Sequence, residues 1–221
     1  TRAYPVNEKT GKIYFLKDSW RIAAPESDVL KDLNATDVRN APLLICGGDI
    51  SNHIKWPRPL IIKDGAQSDT GGVDPSYKQY QWLCDTKHIH YRLTEGVIGM
   101  HLDKFTSTKE MMTIVRDAFI GDTALTKCNI LHRDVSGNNI MTKRGEERGI
   151  LNDWDLTKRT NSLSPHRHER AGTWKFISTL NLMIPGKVHE VQDDLESFIL
   201  VVLYHALRYS THNGIDKLPA I

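Results

Sequence analysis

The sequence is poor in cysteine, and it has no long apolar run and no excess of charge of one sign. Its 221 residues include three widely separated cysteines, so we expect neither a disulfide framework nor a paired-cysteine metal motif, and a reducing, intracellular compartment is favoured. No stretch reaches the roughly 20 apolar residues of a membrane-spanning helix, and no signal peptide opens the chain, so no membrane partner is expected. The 29 lysines and arginines nearly balance the 27 acidic residues, which gives no electrostatic case for a nucleic-acid partner.

The composition is otherwise that of an ordinary folded protein. Hydrophobic residues make up 39% and charged residues 25% of the chain, which disfavours disorder, collagen-like structure and a coiled coil. The length allows one large domain or two small lobes with a sizeable buried core. Because the first residue is Thr1 and not Met, we interpret the sequence as a fragment of a longer polypeptide.

The first part of the chain is rich in predicted strands. Residues 12–17, 42–46 and 89–95 have strand-like patterns, and Gly47 and Gly48 are expected to end the second of them. A helix is predicted near residue 25, because Pro25 suits a first helical position and Glu26 complements the helix dipole. A segment rich in Gly, Asp and Ser at about 63–80 is interpreted as a loop or insertion.

The second part changes to helical periodicity. Apolar residues from 108 to about 126 recur at helical spacing, which predicts a helix. Residues 195–207 are apolar on nearly all faces, which predicts a buried helix. Between these helices, short strands are predicted at 129–131 and from Ile140, on either side of a polar loop.

That polar loop carries the residues that indicate chemistry. It reads HRDVSGNN at 132–139, with Asp134 and Asn139 five residues apart, and Asp153 lies fourteen residues beyond Asn139. Phosphoryl transfer from ATP needs a carboxylate at the acceptor's hydroxyl proton, hard oxygen ligands for Mg²⁺, and a cation at the phosphates. Asp134 can supply the first of these, Asn139 and Asp153 the second, and Lys17 the third.

The blocks together resemble the protein kinases. HRDVSGNN resembles the kinase catalytic loop H-R-D-x-x-x-x-N, and DWD at 153–155 resembles a variant of D-F-G. With the strand lysine, GTW at 172–174 and DDLES at 193–197, the order of blocks is most similar to that of the fungal-type protein kinases. DDLES also resembles the segment that opens the central buried helix of casein-kinase-type enzymes. The resemblance extends from about residue 12 to residue 208.

This resemblance implies an α+β, two-lobed protein-kinase-like fold that is truncated at both ends. A small β-rich lobe would comprise residues 1–96 and a larger, mainly helical lobe residues 97–221, with ATP and Mg²⁺ in the cleft between them. The glycine-rich phosphate loop of kinases is missing and is expected to precede Thr1. The implied activity is transfer of the γ-phosphate of ATP to Ser or Thr hydroxyls of a protein substrate.

The resemblance also implies a role for each candidate site residue. Asp134 would be the catalytic base, and Asn139 and Asp153 would bind Mg²⁺. Lys17 would hold the α- and β-phosphates and pair with Glu26 on the first helix, only nine residues away.

Other residues would support these. His132 and Arg133 would be scaffold residues, Thr173 would lie beside Asp134, and Asp194 would tie the catalytic loop to the buried helix. The sequence departs from the kinase pattern at residue 155, where Asp stands in place of the usual Gly.

Two other functions stay open at this point. Small-molecule kinases of the choline or aminoglycoside type share an H-x-D…N loop, and their D-x-D or D-x-E block resembles DWD at 153–155. A catalytically inactive pseudokinase that acts as a binding module is the third possibility, because the glycine-rich loop is missing. The GTW stretch favours a peptide substrate over a small alcohol.

Overall fold

The structure is a computed structural model, and it describes residues 2–7, 11–21, 25–55, 88–96, 99–121, 127–143, 148–161, 172–184 and 186–211. The loop or insertion predicted at about 63–80 lies outside these residues. Of the helices within the described ranges, none is both long enough and apolar enough to cross a membrane.

An antiparallel sheet of four strands forms the first part of the fold. Its strands are β1 (Arg2–Asn7), β2 (Ile13–Arg21), β3 (Leu44–Lys55) and β4 (His88–Glu95), in the order β1-β2-β4-β3. Lys17 lies in the middle of β2 and is paired with Leu93 of β4. The predicted end of this strand at Lys17 was wrong, because the polar residues after it continue to pair with β4 as far as Arg21.

The strand β3 also runs further than predicted. Gly47 and Gly48 do not end it, because both pair with β4 and the strand continues with irregular register to Lys55. The absence of a side chain at Gly47 instead allows a close approach of the first helix. A Cβ atom there would lie 2.9 Å from the Cβ of Ser27, which is too short for two carbon atoms.

The first helix, α1 (Glu26–Ala35), packs on β3. Its apolar side chains Val29, Leu30 and Leu33 are buried in the core. The prediction that Pro25 is the first helical residue was wrong, because Pro25 is the extended residue immediately before the helix, with φ −68° and ψ 141°. Glu26 is therefore the first residue of the helix.

The rest of the fold is mainly helical, with short strands. Its strands are β5 (Gly99–His101), β6 (Ile130–Leu131), β7 (Ile140–Lys143), β8 (Gly149–Leu151) and β9 (Lys158–Arg159). Three of them form a sheet in the order β5-β7-β8, and β6 pairs with β9. The described residues of this part also form three helices and the 3-10 turns Leu102–Lys104, Trp154–Leu156 and Trp174–Phe176. The helices are α2 (Thr108–Gly121), α3 (Thr179–Met183) and α4 (Val191–Tyr209). The predicted continuation of α2 to residue 126 lies outside the described residues.

Helix α4 is buried along one side only. Phe198 packs on Phe119 of α2 with ring centroids 5.4 Å apart, and His205 stacks on Phe176 at 6.4 Å. The prediction of a buried helix was wrong for the opposite side, because Ile199 is 60% exposed. A helix with apolar residues on all faces can thus leave one of these faces exposed to solvent. The exposed stripe follows a four-residue period and consists of Leu195, Ile199, Leu203 and Leu207.

Candidate active site

Three carboxylates surround the ammonium group of Lys17. Its Nζ atom lies 2.6 Å from Glu26, 2.5 Å from Asp153 and 3.1 Å from Asp155. Only 7% of the Lys17 side chain is exposed, and none of the Glu26 side chain is. The structure thus brings together three of the site residues predicted from the sequence, and it adds Asp155.

The charged groups of this cluster shift one another's pKa values. Burial alone would lower the pKa of Lys17, but Glu26, together with Asp153 and Asp155, outweighs it and holds that pKa above its ordinary value. Burial raises the pKa of Glu26 well above the usual range for a carboxyl group, while the charge of Lys17 opposes this rise. Lys17 therefore stays charged in spite of its burial.

Glu26 also connects helix α1 to the segment that contains Asp153. Its Oε2 accepts a hydrogen bond from Lys17, and its Oε1 accepts one of 2.7 Å from the backbone N–H of Trp154. The buried side chain of Glu26 therefore positions both the ammonium group of Lys17 and the loop after β8.

The loop after β8 has an unusual backbone conformation at Asp153. This residue lies in the left-handed region, with φ 63° and ψ 71°, which few residues other than Gly adopt, although Asp and Asn do so more often than most. Trp154 follows with no exposed surface, donates its indole N–H to the carbonyl of Leu151 and contacts the ring of His132 edge-on at 4.7 Å. With Trp154 anchored in the core, the carboxylates on either side of it reach Lys17.

The carboxylate of Asp134 is fixed on both of its oxygens. Oδ1 accepts hydrogen bonds from the backbone N–H and the hydroxyl of Thr173, at 2.6 and 2.8 Å. Oδ2 accepts one from the amide nitrogen of Asn139 at 3.0 Å, and the same nitrogen donates to the backbone carbonyl of Asp134. Asp134, Asn139 and Thr173 thus form one hydrogen-bonded unit, with Thr173 in the position expected of it.

Asp194 supports the catalytic loop from helix α4. It has no exposed surface and accepts hydrogen bonds of 3.0 Å from the backbone N–H groups of His132 and Arg133. Arg133 has a left-handed φ of 70°, and these contacts with Asp194 hold that part of the loop. His189, which the sequence did not single out, contacts the same carboxylate at 2.7 Å.

His132 joins the two loops of the site. Its Nε2 donates to the backbone carbonyl of Asn152, and its Nδ1 accepts from the backbone N–H of Asp134. Burial lowers the pKa of His132, although Asp194 and the Asn152 carbonyl oppose this, so the ring is neutral with the proton on Nε2. A further backbone hydrogen bond of 2.8 Å joins Asn152 to Asn139. Asp134 and Asp153 are therefore on loops that are held side by side.

Glu95 is the residue of this region that the sequence reasoning missed. It ends β4, is 1% exposed, and its Oε1 atom has no hydrogen-bond partner among the residues that the structure describes. Burial raises the pKa of Glu95 to about 7, with Lys17 lowering it and Asp153 and Asp155 raising it further. The two-residue period of β4 was the available signal, because it places Glu95 on the same face as the buried residues Tyr91 and Leu93.

The donor set suits a hard divalent cation. Carboxylate and amide oxygens are the ligands that Mg²⁺ prefers, and the site offers Asp153 together with Asn139. Because the Asn139 amide nitrogen is engaged with Asp134, its oxygen is the atom left for a cation. A second group of oxygens lies close by, since ligand atoms of Glu26, Asp153 and Asp155 are within 4.8 Å of one another.

The chain is similar to known kinases in its sequence profile and in its fold. The profile of the family described as "Fungal protein kinase" matches residues 1–206. Among solved structures, the chain is similar to the kinase PK-1 of the Cydia pomonella granulovirus, with a TM-score of 0.60 and 14% identity over 97% of this chain and 69% of that chain. A comparison with curated proteins found no match.

These findings confirm two predictions made from the sequence. The likeness to PK-1 confirms the α+β, kinase-like fold, which the mixture of helices and antiparallel sheets also shows. The profile match confirms the resemblance first seen in the order of the sequence blocks. Because that match spans nearly the whole sequence, the chain belongs to the fungal protein kinase family.

Proposed function

We propose that this kinase transfers the γ-phosphate of ATP, with Mg²⁺, to a Ser or Thr hydroxyl of a protein substrate. The family and the fold support a phosphotransferase. The observation that carries the proposal is the fixed carboxylate of Asp134, on a loop joined to the one that bears Asp153 and its contact with Lys17.

Asp134 is placed to take the proton of the acceptor hydroxyl. Its Oδ1 already accepts two hydrogen bonds from Thr173, whereas its Oδ2 accepts one from Asn139. Oδ2 is therefore the oxygen with room for a further proton. As the hydroxyl oxygen attacks the γ-phosphorus and ADP leaves, the hydroxyl proton passes to Asp134.

Lys17 and the cation ligands act on the phosphates. The ammonium of Lys17 would exchange its contacts with Asp153 and Asp155 for phosphate oxygens, while Glu26 continues to hold it from behind. Asp153 and Asn139 would hold Mg²⁺, which when bound neutralises charge on the phosphates and orients them. The left-handed backbone at Asp153 would set the direction in which its carboxylate is offered to such an ion.

The surroundings of Asp134 support a peptide substrate. Arg133, Asp134, Gly172, Thr173 and Phe176 line a small pocket next to the carboxylate. The neighbouring Trp174 is 67% exposed, so it offers an apolar surface beside that pocket. The pocket itself has room for about one water molecule, so a hydroxyl-bearing side chain would approach Asp134 from outside it, with the peptide backbone along the 172–174 segment.

A small-molecule kinase is the second candidate, and Asp155 is the observation that favours it. Its carboxylate lies 3.1 Å from the ammonium of Lys17, so both Asp153 and Asp155 face that ammonium. The D-x-D block of small-molecule kinases likewise supplies two acids. Labelled ATP offered with a peptide library and, separately, with choline and aminoglycosides distinguishes the two substrate classes.

The proposal is tested by phosphate transfer from labelled ATP by the purified chain. We expect Asp134→Ala to lower the rate by about 10²- to 10⁴-fold, the loss typical of a missing general base. Asp28→Ala is the matched control, since Asp28 is an exposed carboxylate of α1 that pairs with Lys31. Equal rates for Asp134→Ala and the unaltered chain would show that Asp134 is not the base.

A further inference from the structure

Helix α1 and the segment that follows Asp153 meet both inside and outside the active site. Inside it, Glu26 accepts a hydrogen bond from the backbone N–H of Trp154. Outside it, the guanidinium of Arg159 in β9 donates to the carboxylate of Asp32. Six helical residues separate the two acids, which is about 9 Å along the helix axis. One contact alone would let α1 pivot, whereas two contacts at this spacing fix its direction relative to the segment.

Strand β9 links this outer contact to both loops of the active site. It pairs with β6, where Arg159 lies opposite Ile130, and β6 runs into the loop that bears Asp134. The start of β9 lies five residues after Asp153. A guanidinium on β9 that binds Asp32 therefore holds α1 against the two loops together.

The end of α1 is bound to the same region by a second cation. The ammonium of Lys127, shortly before β6, donates to the backbone carbonyls of Thr36 and Asp37 at 3.3 and 2.6 Å. These carbonyls lie just beyond the helix, where its dipole favours positive charge. The hydroxyl of Thr36 also lies 2.9 Å from the Sγ of Cys128. The C-terminal half of α1 is thus held by cations from two segments next to the catalytic loop.

The outer contact is open to solvent, in contrast to the contact inside the site. The side chains of Asp32 and Arg159 are 47% and 40% exposed, whereas those of Glu26 and Lys17 are 0% and 7% exposed. Salt screens an exposed ion pair much more than a buried one. The outer contact can therefore respond to the solution while the inner pair stays protected.

We propose that Asp32 and Arg159 are positioning residues, whose contact holds α1 where Glu26 can keep the ammonium of Lys17 in the active site. Because a carboxylate supplies the anion, this contact forms without phosphorylation of the chain. Its effect on ATP rests on the proposed function, but the placement of α1 does not.

The first test measures the placement of α1 in the full chain without nucleotide. Deuterium exchange of the Trp154 backbone N–H, followed by NMR, reports whether Glu26 still accepts from it. Asp32→Asn should speed this exchange by about two- to fivefold, the range for an exposed ion pair. Raising the salt concentration from about 0.05 to about 0.5 M should speed it in the unaltered chain, with little further effect in Asp32→Asn. Asp28→Asn is the matched control on α1, since Asp28 pairs with Lys31 of the same helix, and it should exchange like the unaltered chain.

The second test distinguishes positioning from a general loss of stability. Asp32→Asn should raise the KM for ATP by about two- to fivefold and leave kcat nearly unchanged, because bound nucleotide draws α1 back into place. Asp32→Glu keeps the charge and should restore most of the affinity. Arg159→Gln should match Asp32→Asn, and the double variant should lose no more than either single variant, since both remove one contact.

Three results would overturn the proposal. They are unchanged Trp154 exchange in Asp32→Asn, equal changes in Asp28→Asn and Asp32→Asn, and additive effects of Asp32→Asn and Arg159→Gln in the double variant. Asp32→Ala replaces Asp32→Asn if the latter loses its circular dichroism spectrum, and the same outcomes apply to it. Faster exchange in a chain that transfers no phosphate would support the contact and refute the proposed function. Phosphate transfer with unchanged exchange would refute the contact alone.

Discussion

Glu95 makes the stability of this protein depend on pH near neutrality. Burial raises its pKa from 4.5 to about 7 in the folded chain, against the effect of Lys17. Between these two values the folded state keeps a proton that the unfolded state has lost, so the free energy of unfolding falls as the pH rises. The stabilising effect of that proton is complete below about 4.5 and is gone above about 7.

Glu95→Gln should therefore reduce the loss of stability between pH 5 and pH 7.5. One unit of pKa difference corresponds to about 1.4 kcal/mol, so the unaltered chain should lose roughly 2–3 kcal/mol more over this range than the variant does. Urea unfolding at a series of pH values measures the difference. Part of the slope will remain in Glu95→Gln, because burial also raises the pKa of Glu26.

Asp28→Asn is the control for this measurement, since the Asp28 side chain is exposed. Its pH profile should match that of the unaltered chain. Parallel profiles for Glu95→Gln and the unaltered chain would contradict the argument.

Individual residues could be found from the sequence where the pattern is local. Asp134 and Asn139 are five residues apart on one loop, so their spacing is visible in the chain itself. The burial of Glu95 is not visible in this way, because it depends on a sheet that places β4 next to β2 and Lys17. Asp155 was noticed as a departure from the kinase pattern, but its contact with Lys17 required the three-dimensional structure.

At the scale of elements, helix α2 and strand β8 approach each other so closely at Gly149 that no side chain fits there. A Cβ atom at Gly149 would lie 1.9 Å from the backbone carbonyl oxygen of Ile114. A backbone atom of a helix cannot move aside as a flexible side chain can, so a substitution here must displace the whole helix or the strand.

Gly149→Ala should accordingly destabilise the protein by roughly 1–3 kcal/mol, the usual range for overpacking of a dense core. Gly48→Ala is the matched control, because Gly48 also lies in a strand and a Cβ there meets no atom within 4 Å. Thermal unfolding of the two variants should show a clear fall in midpoint for Gly149→Ala only. Similar midpoints would mean that the strand and helix separate at little cost.

The elements were predicted more reliably in type than in extent. Strand β2 was predicted to end at Lys17, but hydrogen bonding to β4 carries it to Arg21, and such pairing is not visible in the apolar pattern. Helix α4 was predicted with the right type, whereas its exposed stripe at Ile199 and Leu203 shows that apolar composition does not determine which faces are covered.

At the scale of the whole molecule, a few buried contacts join the first sheet to the later loops. Lys17 of β2 contacts Asp153, and Glu26 of α1 accepts from the backbone of Trp154. The order of sequence blocks was sufficient to predict the kinase family and the α+β fold, because each block falls on its own element along the entire chain. A ligand that binds across these contacts should stabilise the molecule as a unit.

A non-hydrolysable ATP analogue with Mg²⁺ should therefore raise the unfolding midpoint. At a concentration of 100 times Kd the expected gain is about 2.7 kcal/mol. Lys17→Met should lose most of this gain, while Lys31→Met, which removes an exposed lysine of α1, should keep it. Differential scanning fluorimetry measures the shift, and an equal shift in the Lys17 and Lys31 variants would contradict a role for Lys17 in nucleotide binding.

The left-handed backbone at Asp153 lowers the thermal stability of the protein, whereas the carboxylate that it carries is needed for the proposed reaction. Glycine at this position would relieve about 1 kcal/mol of conformational strain and would remove one of the neighbouring acids. Lys17 would keep its contacts with Glu26 and Asp155. Asp153→Gly should thus melt at a higher temperature and yet be unable to use ATP. A laboratory selection for heat resistance alone would therefore enrich inactive variants that are substituted at residue 153.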